Sequence, residues 1–206
     1  MLIFLSRELA FLATPKTGTT AVEMALKPHA EIVFARNRKH ITAQRYAMRV
    51  RPFLQQTFSA SPAPLAVMRH PVDQLRSWYR YRSQPRLDGK RFSTKGLTFE
   101  QFALEVISDD PPPRAQIGSQ FAFLTSDKGK LLIQHLFAYE RQPAFREFLS
   151  EKLAREVTLK PKNVSPDVPA PLSDAAYARL RAARMDEFAL YERLIAAGGA
   201  LHSPQE

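Results

Sequence analysis

Short apolar runs alternate along this chain with segments whose apolar residues recur at helical spacing. Three of the runs, at residues 9–13, 65–68 and 131–139, are typical of strands that are buried in a sheet. Each run precedes a segment with apolar positions three or four residues apart, which predicts an amphipathic helix. Because such strands suit a parallel sheet covered on both faces, the pattern predicts an α/β fold with a short parallel sheet flanked by helices.

Caps and breakers predict where some of the helices begin and end. Thr98, with Gln101 three residues later, has the pattern of a capping box, and Ser173 can cap the last helix. A further helix is predicted to begin at Thr42 and to break near Pro52, because proline lacks an amide hydrogen. The helices therefore fall between or after the predicted strands, as an α/β fold requires.

Length and composition are those of one globular domain. No linker or repeat divides the 206 residues, so we expect a single domain over residues 1–206 with a flexible tail at residues 198–206. The absence of cysteine excludes disulfides and thiolate metal sites. No apolar run approaches the ~18 residues that span a bilayer, and we expect a soluble, cytoplasmic protein with no membrane span. A net charge of +10 favours anionic partners without choosing among nucleic acid, a nucleotide, an acidic glycan and a membrane surface.

The loop after the first buried strand has the features of an anion-binding site. Gly18 lets the backbone turn and approach a ligand closely. The helix that begins at Thr19 or Thr20 offers unpaired amides and a positive dipole end, and Lys16 adds a full charge beside them. This is not the ordinary triphosphate-binding loop, in which the lysine follows the second of two glycines. Here Lys16 precedes Gly18, the only glycine of the loop. The alternative is an ordinary strand–turn–helix corner.

A second candidate site follows the second buried strand. Arg69 lies at the predicted carboxyl end of that strand, where ligands of open α/β sheets bind. Pro71 favours a helix start, and Ser77 comes about two turns into that helix. An arginine can form two hydrogen bonds to a phosphate, and a serine hydroxyl can add a third. The alternative is a solvated arginine and an ordinary helix serine.

Together the two segments resemble sulfotransferases that use 3′-phosphoadenosine 5′-phosphosulfate (PAPS). Residues 15–20 resemble the 5′-phosphosulfate loop of that family, and residues 69–77 resemble its 3′-phosphate site. The resemblance implies a P-loop-like sulfotransferase fold, and it implies sulfuryl transfer from PAPS without a metal ion. The residues that it implies bind the cofactor are Lys16, Thr17, Gly18, Thr19, Thr20, Arg69 and Ser77.

The resemblance also suggests a catalytic pair. Lys16 would stabilise charge on the leaving phosphate. The run at residues 39–43 resembles the segment that carries the proposed catalytic histidine of carbohydrate-type sulfotransferases, which makes His40 the candidate base. The alternative for His40 is a surface histidine in a basic loop. Glu23, on the helix after the anion loop, is a competing base.

Two departures favour a carbohydrate-type or bacterial relative over a cytosolic steroid or phenol enzyme. Many cytosolic members have a tryptophan after the Thr-Thr pair, stacked near adenine, where this chain has Ala21. The C-terminal basic-glycine segment of those members is also missing. Residues 163–165, Asn163-Val164-Ser165, are a candidate for nucleotide contacts, with a plain turn as the alternative. We expect a small-molecule or saccharide acceptor, with lipid, alcohol and amine acceptors all open.

Two other classes of function compete with this interpretation. Trp78, Tyr79 and Tyr81 lie among arginines, as in a surface that binds single-stranded nucleic acid. We favour an amphipathic helix, apolar inside and basic outside, and expect no nucleic-acid partner. The rival functions are therefore a non-catalytic protein that binds nucleotides or nucleic acid, and an enzyme similar to a nucleotide kinase.

Overall fold

The computed structural model describes residues 1–160 and 168–203. These residues form an α/β fold in which helices flank a mixed sheet of six strands. The strands are β1 (Leu2–Phe4), β2 (Leu9–Phe11), β3 (Ile32–Val33), β4 (Ala63–Met68), β5 (His135–Ala138) and β6 (Ala200–His202). The helices are α1 (Thr19–Leu26), α2 (Ala43–Arg45), α3 (Arg51–Phe58), α4 (Pro71–Arg82), α5 (Phe99–Val106), α6 (Gln120–Leu124), α7 (Gln142–Leu153), α8 (Asp174–Ala183) and α9 (Met185–Ala196).

The sheet is parallel only at its centre, so the prediction of a parallel sheet is wrong for its outer strands. The strand order is β3-β1-β2-β4-β5-β6. β4 runs parallel to β2 and to β5, whereas β1, β3 and β6 each pair antiparallel with a neighbour. β1 and β2 must be antiparallel because residues 5–8 between them are too few for a crossover connection.

Alternate residues of the central strands pack into cores on the two faces of the sheet. On one face, Leu65, Val67 and Phe137 pack with α1 and α7. On the other, Ala66, Met68 and Leu136 pack with α2, α3, α6 and α9. A third cluster joins α4, α5, α8 and α9 beside the sheet. This three-layer packing explains why β2 and β4 are apolar at every position.

Capping residues in the sequence predicted the starts of two helices correctly. The Thr98 hydroxyl accepts from the Gln101 amide, and the Gln101 side chain accepts from the Thr98 amide, which confirms the capping box. Ser173 caps α8 as predicted, but the predicted last helix is divided at Arg184 into α8 and α9. The predicted break at Pro52 is wrong, because a π-helical turn at Tyr46–Val50 leads directly into α3. Pro52 lies in the first turn of α3, where its missing amide hydrogen costs nothing.

The predicted tail at 198–206 is wrong for residues 200–202, which form β6 beside β5. Gly198 and Gly199 have φ of 79° and 91°, a conformation that lets the chain turn back from α9. The Gly199 carbonyl accepts from the Ala138 amide at 2.8 Å. A Cβ on Gly199 would lie 2.5 Å from Arg141 Cγ, so this close approach requires glycine. Within the described residues, no helix is long and apolar enough to cross a membrane.

Candidate functional site

A cleft of about 1220 Å³ opens at the edge of the sheet where β2, β4 and β5 end. Carboxyl ends of parallel strands meet at one edge, which is why residues distant in sequence converge there. The cleft is lined by all the residues that the resemblance implies bind the cofactor and by the candidate base: Lys16, Thr17, Gly18, Thr19, Thr20, His40, Arg69 and Ser77. The two strand–turn–helix segments and the histidine loop therefore belong to a single cavity.

The loop between β2 and α1 is held in an unusual backbone conformation. Lys16 and Gly18 have φ of 67° and 74°, and the value for Lys16 is uncommon for a residue with a side chain. The Thr17 hydroxyl donates to the Thr14 carbonyl at 2.9 Å, and the Gln74 amide donates to the Pro15 carbonyl at 3.3 Å. No side chain in residues 1–160 or 168–203 caps the start of α1, so its first amides are left for a ligand.

Tyr139 lies beside this loop and forms part of the wall of the cleft. A Cβ on Gly18 would lie 3.1 Å from Tyr139 Cε2, which is tighter than nearly all such contacts. Tyr139 directly follows β5, and its ring also lies 4.6 Å from the Arg69 guanidinium. One aromatic ring thus contacts both predicted anion sites. Tyr139 was not predicted as a site residue, although its place just after the third parallel strand is where site residues are expected.

The Lys16 ammonium lies against two aromatic rings of α4. Its Nζ is 4.2 Å from the centre of the Tyr81 ring and 5.6 Å from that of Trp78. Burial, together with the positive charges of Arg69 and Arg86, lowers the Lys16 pKa to about 8. An anion in the cleft would therefore raise this pKa and restore the full charge. Trp78 and Tyr81 were also missed as cleft residues, although they share a face of α4 with Ser77.

Arg69 is fixed at its backbone by a buried network. The Arg69 amide donates to Gln120 Oε1 at 2.8 Å, and Gln120 Nε2 donates to the Arg69 carbonyl at 2.9 Å. Gln120 is itself held by the Glu187 carboxylate at 3.1 Å, and Glu187 accepts from Arg184 at 3.0 Å. Gln120 and Glu187 are 1% and 2% exposed. Helices α6 and α9 thereby set the position from which the Arg69 side chain enters the cleft.

His40 enters the cleft from the chain that follows β3. Its Nδ1 lies 2.6 Å from the Ala13 carbonyl. Because a carbonyl only accepts, Nδ1 carries the hydrogen and Nε2 keeps the lone pair of a base. Burial of the imidazole by the surrounding protein lowers the His40 pKa. The hydrogen bond to the Ala13 carbonyl raises it and offsets only part of that effect. A neutral imidazole at neutral pH is the state that a general base requires.

Glu23, the competing base, is held by another residue. Lys39 Nζ lies 3.3 Å from Glu23 Oε2. Glu23 is not among the cleft residues, whereas His40 is. The geometry therefore favours His40 over Glu23. Of the five histidines, all within the described part of the chain, His40 alone lines the cleft.

The arginines of α4 do not form the solvated basic face that the sequence suggests. Arg76 and Arg80 donate to the carbonyls of Ala170 and Val168 at 3.1 and 3.0 Å. Arg82 is buried and donates to backbone carbonyls of residues 113 and 114. These hydrogen bonds hold α4 against two segments, at residues 113–114 and 168–170. The prediction of a helix that is basic outside is therefore wrong for Arg82, which is buried, whereas Arg76 and Arg80 are half-buried.

The charge of the cleft is of one sign. In the described part of the chain, no aspartate or glutamate lines it. Its cationic residues are Lys16, Lys39, Arg69, Arg80, Arg86 and Arg146. No group of three histidine, aspartate or glutamate side chains in residues 1–160 and 168–203 could hold a metal ion. The cleft is thus built to receive a ligand with several negative charges.

Comparison with protein-family models, with curated proteins and with solved structures finds no match to this chain. The candidate nucleotide contact at residues 163–165 lies outside the described residues.

Proposed function

We propose that this protein is a sulfotransferase that moves a sulfuryl group from PAPS to a hydroxyl or amine of an acceptor. One observation carries the proposal. Two motifs separated by some fifty residues, each typical of one end of PAPS, line a single cationic cleft together with a histidine base. His40 comes from a third segment, and its convergence on the same cleft adds support beyond the placement of two neighbouring strand ends.

The residues present fit such a nucleotide. Arg69 Nε and Trp78 Nε1 are buried polar atoms with no partner among the described residues, and both residues line the cleft. A buried donor without a partner is costly, so both atoms are suited to meet acceptor atoms of a ligand. Gly18 leaves open a space that any side chain would crowd against Tyr139. These features support binding of a phosphorylated ligand at both corners.

The anion loop would hold the reacting end of the donor. Lys16 and the free amides at the start of α1 would bind the phosphosulfate and stabilise charge on the leaving phosphate. Arg69 and Ser77 would bind the 3′-phosphate and so position the nucleotide along the cleft. No metal ion has a step in this scheme.

His40 would accept the proton that the acceptor hydroxyl loses. Its Nδ1 hydrogen bond to Ala13 orients the ring, and Nε2 is the atom that takes the proton. When bound, the donor supplies the sulfuryl group: its sulfur–oxygen bond to phosphate breaks while the acceptor oxygen bonds to sulfur, and the phosphate leaves with the electron pair. Lys16 neutralises that charge as it forms.

Calorimetry with adenosine 3′,5′-bisphosphate tests this proposal. We expect tight binding that is lost when the 3′-phosphate is removed, as in adenosine 5′-monophosphate. Arg69→Ala should weaken bisphosphate binding by about 10- to 100-fold, the size expected for lost hydrogen bonds to a charged group. The exposed Arg49→Ala variant serves as the charge-matched control and should bind normally.

Other outcomes would favour the rival functions. Equal or better binding of ATP with magnesium would support an enzyme similar to a nucleotide kinase. Binding of any polyanion with steep salt dependence, and without preference for the bisphosphate, would support a nucleic-acid-binding protein. Unchanged bisphosphate affinity in Arg69→Ala would remove the assignment of the 3′-phosphate site.

The buried network behind Arg69 gives a separate prediction. Gln120→Ala removes both hydrogen bonds to the Arg69 backbone, so the bisphosphate should bind about tenfold more weakly. Affinity for adenosine 5′-monophosphate should not change, and the exposed Gln116→Ala variant should behave as wild type. In an Arg69→Ala background the Gln120 substitution should have no further effect on affinity. An equal loss for both nucleotides would show that Gln120 only supports the fold.

A further inference from the structure

Helices α2 and α3 form one continuous helical run, because the π-helical turn at Tyr46–Val50 joins them without a break. One side of this run packs on the core of the sheet through Ala43, Tyr46 and Leu54, which are buried. The opposite side is exposed, and its positions recur every three or four residues, as one face of a helix does. We call this side the outer face of α2–α3; its residues are Arg45, Met48, Arg49, Pro52, Phe53 and Gln56.

The outer face carries large apolar side chains. Met48 is 64% exposed and Phe53 is 53% exposed, and Phe58 at the end of α3 is 48% exposed. The rings of Phe53 and Phe58 meet edge to face with their centres 6.0 Å apart. Three of the seven exposed large apolar side chains among the described residues therefore belong to this one helical run. Such a concentration is typical of an interaction surface.

The charge around these apolar side chains is positive. Arg45 and Arg49 are exposed, and in the described parts of the chain neither guanidinium has an acidic partner. Residues 32–72 contain no aspartate or glutamate. Asp127 approaches the run from outside that range, and the Gln44 side-chain amide donates to its carboxylate at 2.5 Å. The outer face is thus complementary in charge to an anionic surface.

The arrangement of charge and apolar surface indicates what kind of anionic surface fits. Arginine alternates with methionine and phenylalanine along the outer face, so no apolar centre is set apart from a charged rim. The centre of a protein–protein interface is depleted of charge, whereas a helix that lies in the headgroup layer of a membrane combines both kinds of side chain. There, apolar side chains insert toward the acyl chains while arginines reach the lipid phosphates.

We propose that the outer face of α2–α3 binds the surface of an anionic phospholipid bilayer. Met48, Phe53 and Phe58 insert among the headgroups, and Arg45 and Arg49 bind lipid phosphates. The contact is peripheral, because the helical run lies in the plane of the membrane and does not cross it. This inference concerns a surface of the protein and does not depend on the proposed sulfotransferase activity.

Co-sedimentation with lipid vesicles tests the charge contact. The vesicles contain phosphatidylcholine alone or with about one third phosphatidylserine, and we expect the protein to bind only the anionic ones. Arg45→Gln/Arg49→Gln should weaken this binding about 10- to 30-fold, the size expected for two arginines at such a surface. Arg155→Gln/Arg179→Gln is the matched control, because these exposed arginines lie outside the outer face. It should weaken binding about threefold at most, since charge acts over a short range in salt.

Insertion of the apolar side chains is tested separately. Met48→Ser/Phe53→Ser should weaken binding to the anionic vesicles about tenfold, because less apolar surface is buried in the headgroup layer. Met24→Ser/Phe92→Ser removes the same two types of exposed residue elsewhere and should bind as wild type. Lipids brominated on the acyl chains should quench the fluorescence of a Phe53→Trp variant. A Phe92→Trp variant should show no quenching beyond the baseline that Trp78 gives in the wild type.

Four outcomes would overturn the inference. One is equal binding to neutral and anionic vesicles, or to neither. Another is an equal loss in the two arginine variants, which would show that only net charge acts. Wild-type affinity in Met48→Ser/Phe53→Ser would show that the face contacts charge alone, as it would on nucleic acid. The last is a Phe53→Trp variant that brominated lipids do not quench beyond the wild-type baseline.

Discussion

Replacing His40 with alanine is expected to lower kcat by ~10²–10⁴-fold, the usual size of a general-base effect. The imidazole is oriented by the Ala13 carbonyl at 2.6 Å and presents its other nitrogen to the cleft. Affinity for adenosine 3′,5′-bisphosphate should be unchanged, because the proposed contacts to the nucleotide are made by other residues. The measurement is sulfuryl transfer from radiolabelled PAPS across a panel of acceptor classes, beside calorimetry of the bisphosphate.

The pH profile separates a base from a structural histidine. The His40 pKa is held below its ordinary value of 6.5, chiefly by burial, so the neutral, active form persists to lower pH. The acid limb of kcat/KM should therefore lie below pH 6.5 in the wild type and disappear in His40→Ala. His29→Ala, an exposed histidine outside the cleft, is the control and should keep the limb. Full activity in His40→Ala would return Glu23 to consideration as the base.

Replacing Lys16 with methionine should reduce kcat by ~10²–10³-fold, the usual cost of removing one group that stabilises developing charge. The methionine side chain fills similar space against Trp78 and Tyr81 while losing the ammonium that contacts them. Bisphosphate binding should also weaken. The same transfer assay and calorimetry measure both effects.

Proton uptake on bisphosphate binding shows whether Lys16 contacts the ligand. The free Lys16 pKa is about 8, and a bound anion raises it, so binding at pH 8.5 should take up part of a proton. Calorimetry in buffers of different ionisation enthalpy measures this uptake, which should be absent in Lys16→Met. If wild type and variant take up the same amount, Lys16 does not contact the anion. The basic limb of kcat/KM in the free enzyme should accordingly lie near pH 8.

The corners of the site were predictable because each is encoded within a few consecutive residues. An apolar run, a turn residue and a helix start identify the Lys16 loop, and the same order identifies Arg69. Placement at the ends of parallel strands then implies that the two lie near each other, since the sheet brings those ends to one edge. The structure places both in one cleft.

Contacts made through tertiary packing could not be predicted in this way. Gln120 follows Arg69 by 51 residues, and no spacing rule connects a helix-start glutamine to the backbone of a distant strand end. Tyr139 was within reach as the residue after β5, but its double contact with Gly18 and Arg69 depends on the packing of three loops. The mixed sheet escaped prediction for a similar reason, because strand direction depends on pairing partners.

The two outermost strands of the sheet are short, and this affects how copies of the protein meet. β3 has two residues and pairs antiparallel with β1, and β6 has three residues and pairs antiparallel with β5. Exposed strand edges are where separate chains join into larger sheets, and brief edges offer few amides for that pairing. The short edges thereby limit pairing of separate chains at the two sides of the sheet, away from the edge at which the cleft opens.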